Sequence, residues 1–246
     1  MTESQTNQEI HISLVAPAYN EADNLRALIE QAGQCIEAVG RPGEMILVND
    51  CSDDNSEAIL GELVAEYPWL RVLKMARRSG QSSALAVGLR NTRGRYVGMM
   101  DADLQNDPSD IPAMLALITS GQCDMVNGWR KDRNDTWLRR ISSRLANGIR
   151  NKITREDVHD SACGLKVFKR ECIDGLVFFH GMHRFLPTLI RMQGYRIREV
   201  PVNHRPRIAG KAKYGLFNRL IKPFCDTLAI RWLQDRQLEK EYRPWP

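Results

Sequence analysis

Short apolar segments rich in β-branched residues alternate with longer segments of helical periodicity through the first half of the chain. This alternation predicts βαβ units, and therefore a mostly parallel sheet covered by helices on both faces. Strands are expected at residues 10–16, 45–48, 71–75, 96–100 and 124–127, and helices at 22–39, 56–66, 82–91 and 108–118. The predicted architecture is a three-layer α/β/α sandwich, which 246 residues can build as one domain.

The pattern changes after residue 130. A helix is expected at 137–153, followed by strands at 164–168 and 195–202 around a helix at 185–192. That first helix and the tail at 214–233 are both amphipathic and rich in Lys and Arg. Open α/β sheets bind ligands at the carboxyl ends of their strands, so functional residues are expected in the loops that follow the strands.

The composition excludes several classes of protein. The chain is 43% hydrophobic and 26% charged, which is ordinary globular usage and not that of a disordered chain. The longest uncharged stretch near the middle, residues 111–123, is shorter than the ~20 apolar residues that cross a bilayer. The six cysteines lack metal-ligand spacing and the first residues do not resemble a signal peptide, so we expect reduced thiols and a cytoplasmic location.

Residues 99–108, MMDADLQNDP, follow an apolar strand directly. Asp101 and Asp103 are two positions apart, so both carboxylates can converge on one ion where the strand ends. Two hard carboxylate oxygens suit Mg²⁺ or Mn²⁺, which commonly keep water or phosphate oxygens as further ligands. The segment therefore predicts a divalent cation that neutralises a diphosphate leaving group.

Two more polar segments follow the first and second strands. The first strand leads into PAYNE, with no glycine, so a GxGxxG dinucleotide site is excluded there, and a Walker A motif is absent from the sequence. The second leads into VNDCSDD, where Asp50 is placed to accept hydrogen bonds from a base or a ribose. Ser52 or Asp53 is expected to cap the helix that follows.

Together, and in this order on the first, second and fourth strands, these motifs resemble the glycosyltransferase family 2 enzymes of the Rossmann-like GT-A fold. Residues 159–171, HDSACGLKVFKRE, are similar to the family's D-x-x-x-G-x-(K/R)-x-F segment. Residues 200–215, VPVNHRPRIAGKAKYG, resemble a segment of polyprenyl-phosphate sugar synthases of the dolichyl-phosphate mannosyltransferase kind. The resemblance covers about residues 10 to 215.

The resemblance implies a role for each matching residue. The nucleoside-binding positions are matched by Pro17, Tyr19, Glu21, Val48 and Asp50. Asp101 and Asp103 match the family's positions that bind the metal and the donor diphosphate. Ala102 matches a backbone contact in the same motif, and Gln105 matches a further polar ligand. Arg130 matches an arginine on the acceptor side, and the basic pair that closes on the phosphates is matched by Arg207 and Lys213. Ala212 stands where the family usually has a serine before this lysine, so the resemblance does not extend to the phosphate contact of that hydroxyl, whereas the cationic pair is kept.

The implied reaction is an inverting transfer of one sugar from a nucleotide-sugar to a polyprenyl phosphate, with Mg²⁺ or Mn²⁺ as cofactor. A phosphate acceptor is already anionic at pH 7, so catalysis can rest on positioning and cationic stabilisation without a general base. Asp160 is the candidate if a base takes part. Two alternatives stay open: a saccharide hydroxyl acceptor in surface polysaccharide or lipopolysaccharide assembly, and a non-catalytic membrane-associated scaffold.

The chain is expected to comprise a disordered N-terminus at 1–9, the glycosyltransferase domain at 10–213 and an amphipathic basic tail at 214–246. The basic helix and this tail predict peripheral attachment to an anionic membrane at its inner, cytoplasmic face. The charges expected to hold it there are Arg139, Arg140, Arg144, Arg150, Arg219, Lys222, Arg231 and Arg236, aided by Phe217, Phe224 and Trp232. In the alternative interpretation these helices pack their apolar faces, such as Phe224 with Leu228, on the domain. No nucleic-acid-binding motif is present, so nucleic acid is not an expected partner.

Overall fold

The computed structural model describes residues 9–131, 147–205 and 221–237. Its strands are β1 (Ile12–Ala18), β2 (Gly43–Asn49), β3 (Leu70–Lys74), β4 (Tyr96–Met99), β5 (Met125–Trp129), β6 (Lys166–Lys169) and β7 (Ile197–Pro201). Its helices are α1 (Ala22–Val39), α2 (Ser56–Glu66), α3 (Gln81–Arg90), α4 (Ile111–Thr119), α5 (residues 147–154), α6 (Leu186–Met192) and α7 (Ile221–Asp235). Short 3₁₀ turns occupy Pro108–Asp110, Arg170–Ile173 and Met182–Arg184.

The seven strands form one sheet in the order β3-β2-β1-β4-β6-β5-β7. All neighbours run parallel except β6, which is antiparallel to both β4 and β5. The predicted α/β fold with a mostly parallel sheet is confirmed. Because β6 runs the opposite way, its first residue, Lys166, lies beside Met99 at the carboxyl end of β4.

Two apolar clusters pack on opposite faces of the sheet. Leu14 of β1 belongs to one cluster with residues of α1, α2 and α4, and its neighbour Val15 belongs to the other with residues of α3, α6 and α7. Successive side chains of a strand point to opposite faces, so one strand serves both layers. The helices on both sides account for the apolar character of the central strands.

The predicted bounds hold for α1 and α2 and shift elsewhere. β1 extends to Ala18, so Pro17 lies within the strand, beside Val48 of β2, and not in the loop after it. β4 pairs with β1 only as far as Val15, so Pro17 lies where β1 has a single neighbour and its missing N–H is tolerated. The helix predicted at 108–118 begins as a 3₁₀ turn before α4.

Helix α7 packs on the domain through a different face from the expected one. Ile230 is fully buried and Thr227 is buried, whereas Phe224 and Leu228 are each 48% exposed and Trp232 is 59% exposed. The alternative in which Phe224 and Leu228 pack on the domain is therefore wrong, because the core cluster is reached from the side of the helix that carries Ile230. An apolar stripe at i, i+4 and i+8 remains on the outside.

Arg150 of α5 is also placed differently from the prediction. Its side chain is buried and donates to the Asn147 side chain at 3.1 Å, the Val158 carbonyl at 3.1 Å and the Ser161 hydroxyl. A guanidinium committed to these acceptors cannot reach a membrane, so the predicted role of Arg150 as a surface charge is wrong. Arg139, Arg140, Arg144, Phe217 and Arg219 lie outside the described residues.

All six cysteine thiols are free, as predicted. Within the described ranges, no helix is both long and apolar enough to cross a membrane.

Candidate active site

The loops after β1, β2 and β4 share one edge of the sheet, and each contains a non-glycine residue in the left-handed region. These residues are Asn20, Cys51 and Leu104, with φ of 52°, 59° and 60°. A branched residue such as Leu104 rarely adopts this conformation, and it is held there by a buried side chain.

Hydrogen bonds join the first two loops. The Asn20 backbone N–H donates to the Ser52 hydroxyl at 3.0 Å, and the Asp53 N–H donates to the Asn20 side-chain oxygen at 3.0 Å. Ser52 and Asp53 therefore brace the neighbouring loop, and the prediction that one of them caps α2 is wrong. Asp54 accepts from the Ser56 N–H at 3.0 Å at the start of that helix instead.

The buried carboxylate of Asp50 holds the loop between β3 and α3. Its two oxygens accept from the backbone N–H groups of Ser79 at 2.7 Å and Gly80 at 2.8 Å. The same loop brings the guanidinium of Arg78 to 4.0 Å from the centre of the Tyr19 ring. Two of the predicted nucleoside-binding residues, Asp50 and Tyr19, thus contact the same loop.

Of the remaining predicted nucleoside-binding residues, Pro17 and Val48 lie side by side in β1 and β2. The Glu21 carboxylate accepts from the Asn24 side chain at 2.7 Å at the start of α1. The five predicted residues therefore cluster at the carboxyl ends of two adjacent strands.

The Asp101–Asp103 loop is fixed by contacts from three directions. The Gln81 side chain donates to Asp101 Oδ1 at 3.0 Å, and the Asp101 N–H donates to the Asn106 side chain at 3.0 Å. Asp103 Oδ1 accepts from the Gln105 N–H at 3.3 Å. On the remaining side is Gly164, where a Cβ atom would lie 2.0 Å from Asp101 Oδ2. Only glycine leaves room for this carboxylate.

These residues fit a divalent cation whose coordination is completed by the substrate. Among the described residues, no three or more His, Cys, Asp or Glu side chains group into a metal site. A pair of carboxylates suits Mg²⁺ or Mn²⁺, which bind through one or two carboxylates together with water and phosphate oxygens. Ala102, between the two aspartates in the chain, is buried. The backbone carbonyl of Gln105 accepts a hydrogen bond from the Arg205 N–H at 2.9 Å.

Arg130 and Asp160 form a two-pronged ion pair beside this loop. Arg130 Nε lies 2.7 Å from Asp160 Oδ2 and Nη2 lies 2.9 Å from Oδ1, with both side chains largely buried. Burial opposes the charge on Arg130, but the hydrogen bonds and charge of Asp160 outweigh it and raise the pKa of the guanidinium. An aspartate held in this way orients the arginine and is a poor proton acceptor.

The predicted phosphate-binding residues Arg207 and Lys213 lie outside the described residues. The chain just before them runs alongside the Asp101–Asp103 loop. His204 pairs with Asn106 in a β-bridge, and Arg205 Nη2 lies 2.6 Å from Asp107 Oδ2.

Several residues of the site were not assigned a role from the sequence. Gly164 and Lys166 both fall in the D-x-x-x-G-x-(K/R)-x-F segment, so a signal was present for them. None existed for the contact between Ser82 Oγ and His183 Nδ1 at 3.0 Å, because 101 positions separate the two residues. Burial lowers the pKa of His183 to about 3, so its imidazole is neutral at physiological pH.

Residues 13–176 match the family described as glycosyl transferase family 2. The chain is 35% identical over 230 residues to a dodecaprenyl-phosphate galacturonate synthase of Rhizobium johnstonii, covering 91% of this chain and 67% of that protein. It is 37% identical over 219 residues to an undecaprenyl-phosphate 4-deoxy-4-formamido-L-arabinose transferase of Edwardsiella ictaluri, covering 88% and 66%. The chain spans about two thirds of the length of these relatives.

Solved structures share the fold at low sequence identity. Glucosyl-3-phosphoglycerate synthase of Mycobacterium tuberculosis, in complex with Mn²⁺, UDP and phosphoglyceric acid, matches with a TM-score of 0.68 and 20% identity over 94% of this chain and 80% of its own. A mannosyltransferase of Pyrobaculum calidifontis in complex with GDP-Man and Mn²⁺ matches with a TM-score of 0.62 and 20% identity, covering 95% and 66%. The family match, the relatives and the site geometry agree with the motifs: the chain belongs to glycosyltransferase family 2.

Proposed function

We propose that this glycosyltransferase moves one sugar, with inversion, from a nucleotide-sugar to a polyprenyl phosphate, using Mg²⁺ or Mn²⁺. The observation that carries the proposal is the placement of the Asp101–Asp103 loop beside the buried Arg130–Asp160 pair. A carboxylate pair can hold the metal ion that binds the donor diphosphate, and an oriented arginine can bind a second phosphate. The names of the two relatives reported above, a dodecaprenyl-phosphate galacturonate synthase and an undecaprenyl-phosphate 4-deoxy-4-formamido-L-arabinose transferase, each join a sugar to a polyprenyl phosphate, which supports this acceptor class.

On the donor side, Asp101 and Asp103 would hold the cation, with Gln105 as a further ligand and Ala102 contributing its backbone. The ion supplies positive charge against the leaving diphosphate. Gln81 and Asn106 fix Asp101 in advance of binding. The nucleoside would occupy the ends of β1 and β2, next to Pro17, Tyr19, Glu21, Val48 and Asp50.

On the acceptor side, Arg130, Arg207 and Lys213 would bind the phosphate of the lipid. That phosphate is an anion at pH 7 and can attack the sugar without losing a proton to the protein. Asp160 keeps Arg130 in place through two hydrogen bonds. A saccharide hydroxyl would need a general base, and the geometry of Asp160 disfavours that role.

Transfer assays with matched acceptors test this function. Purified protein is incubated with labelled UDP- and GDP-sugars, Mn²⁺ and one of three acceptors: a short polyprenyl phosphate, the same polyprenol without its phosphate, or an oligosaccharide. We expect label in the lipid product only with the phosphorylated acceptor, and none after chelation of the metal. Transfer to a saccharide acceptor alone would favour the alternative enzyme, and metal-dependent nucleotide binding without transfer to any acceptor would favour a scaffold.

The proposal includes peripheral attachment to the inner face of the membrane, because a lipid phosphate keeps its head group at the bilayer surface. The apolar stripe of α7, Phe224, Leu228 and Trp232, is exposed and has basic neighbours. Arg236 lies 5.9 Å from the centre of the Trp232 ring, and Lys222 is exposed at the start of the helix. Apolar side chains flanked by cations are typical of helices that lie on anionic bilayers.

Replacing Trp232 by Glu should weaken attachment without destabilising the domain, because this side chain is 59% exposed. We expect binding to vesicles containing anionic lipid to fall at least about tenfold, since an apolar anchor becomes a repelled charge. Val64→Glu on α2, at a residue 42% exposed, is the matched control and should bind as the wild type does. Equal binding of both variants to the vesicles in a sedimentation assay would mean that α7 is not part of the attachment surface.

A further inference from the structure

Lys166 is a fully buried lysine in the middle of the sheet. It is the first residue of β6 and lies between Met99 of β4 and Asn127 of β5. A buried ammonium group is costly unless hydrogen bonds replace its water. The mechanism above gives this residue no role, so its position calls for an explanation.

The hydrogen bonds of Lys166 go to one turn. Its Nζ donates to the carbonyl oxygens of Ser161, at 3.1 Å, and Cys163. Both carbonyls belong to residues 160–164, called here the bridging turn. The Lys166 side chain therefore holds the backbone of this turn at two points, and Arg150 contacts the turn at the Ser161 hydroxyl.

The two ends of the bridging turn contact the two halves of the site. At one end, Gly164 lies against the Asp101 carboxylate so closely that a Cβ atom would fall 2.0 Å from Oδ2. At the other end, Asp160 holds Arg130 with hydrogen bonds of 2.7 and 2.9 Å. The turn thus joins the proposed metal carboxylate to the proposed acceptor arginine.

We propose that Lys166 is a positioning residue that sets the spacing between Asp101 and Arg130 by holding the bridging turn. It contacts neither substrate and acts through the turn. The inference deepens the proposed function and rests on it, because the spacing matters only if the donor diphosphate and the acceptor phosphate meet there. In-line attack depends on that spacing, and a displacement of about 1 Å can cost about a hundredfold in rate.

The test compares Lys166→Met with Lys169→Met. Methionine removes the charge and the donors while keeping an unbranched side chain. Lys169 lies at the other end of the same strand, 2.7 Å from Asp124, so its replacement by Met is the matched control. For Lys166→Met we expect kcat of transfer to fall about a hundredfold, with KM for the nucleotide-sugar changed less than about threefold. Lys169→Met should keep the wild-type kcat.

A second readout needs no turnover. The Mn²⁺ concentration that gives half of the thermal stabilisation by UDP or GDP should rise about tenfold in Lys166→Met. The reason is that the bridging turn no longer holds Gly164 against the Asp101 carboxylate. Stabilisation by the same nucleotides without metal should not change. Lys166→Arg, which keeps a cationic donor, should recover most of the kcat. If Lys166→Met does not fold, Lys166→Gln replaces it, since an amide is too short to reach both carbonyls.

The outcomes separate the inference from the function on which it rests. A folded Lys166→Met or Lys166→Gln protein with wild-type kcat and wild-type Mn²⁺ dependence would overturn the role of Lys166. Loss of metal-free nucleotide binding together with kcat would also overturn it, because that is the result of general misfolding. In a further outcome, the wild-type protein transfers no sugar, but Lys166→Met or Lys166→Gln still needs more Mn²⁺ for half of the thermal stabilisation. That result would contradict the proposed function and support the placement of Asp101 by Lys166.

Discussion

Asp103→Asn is expected to lower the rate of sugar transfer by up to about a thousandfold, because it removes a charged ligand of the cation whose positive charge stabilises the leaving diphosphate. The substitution conserves shape, and Asp103 is only partly buried, so the fold should persist. The Asn oxygen can still accept from the Gln105 N–H. The loss therefore reports on the charge of the Asp103 side chain, and it is measured as kcat/KM for the nucleotide-sugar with saturating Mn²⁺.

The matched control for this variant is Asp174→Asn, the same change at an exposed residue just beyond β6. β6 ends at the edge of the sheet opposite to the active site, so transfer by this variant should equal that of the wild type. Full activity of Asp103→Asn would disprove the assignment of Asp103 to the cation.

Gly164→Ala should have the second large effect. The new methyl group would lie 2.0 Å from Asp101 Oδ2 and 2.7 Å from Asn106 Oδ1, distances that real Cβ atoms do not reach. Either the carboxylate or the bridging turn must move, so we expect kcat/KM to fall at least about a hundredfold and the Tm to drop as well. The φ of Gly164 lies outside the left-handed region, so the effect is one of space and not of backbone strain.

Gly61→Ala is the control for this change. Apart from the neighbouring backbone of α2 itself, no atom lies within 4 Å of a Cβ at this position, and alanine is the better helix former by about 1 kcal/mol. We expect unchanged transfer and equal or higher Tm. If Gly164→Ala also keeps wild-type kcat/KM, the contact between Gly164 and Asp101 does not govern the position of the metal carboxylate.

The sequence predicted those parts of the molecule that depend on local pattern. The bounds of α1 and α2 follow from the 3.6-residue period of their apolar residues, and the loop at Asp101 follows from two acids after a buried strand. The mostly parallel sheet follows from the alternation of strands and helices. The helix bounds and the Asp101 loop are each encoded within about 20 consecutive residues, and each βαβ unit of the sheet within a few tens of residues.

The contacts that organise the site could not be predicted in this way. Arg130 and Asp160 were both chosen as candidates, but nothing in the sequence shows that they bind each other across 30 positions. Burial of Lys166 follows only from the insertion of β6 between β4 and β5. The period of α7 indicates an apolar face at Phe224 and Leu228, yet tertiary packing decides that Ile230 faces the core.

The antiparallel insertion of β6 also sets the order in which the enzyme becomes competent during synthesis. Strands β3, β2, β1 and β4 are contiguous in the sheet and come first in the chain, so this half can assemble while the ribosome is still translating the rest. At that stage the loop with Asp101 and Asp103 exists, but Gly164 and Lys166 have not been made. A partly synthesised chain therefore carries the proposed cation ligands without the Gly164 contact that confines Asp101, and we expect sugar transfer to begin only after β6 has entered the sheet.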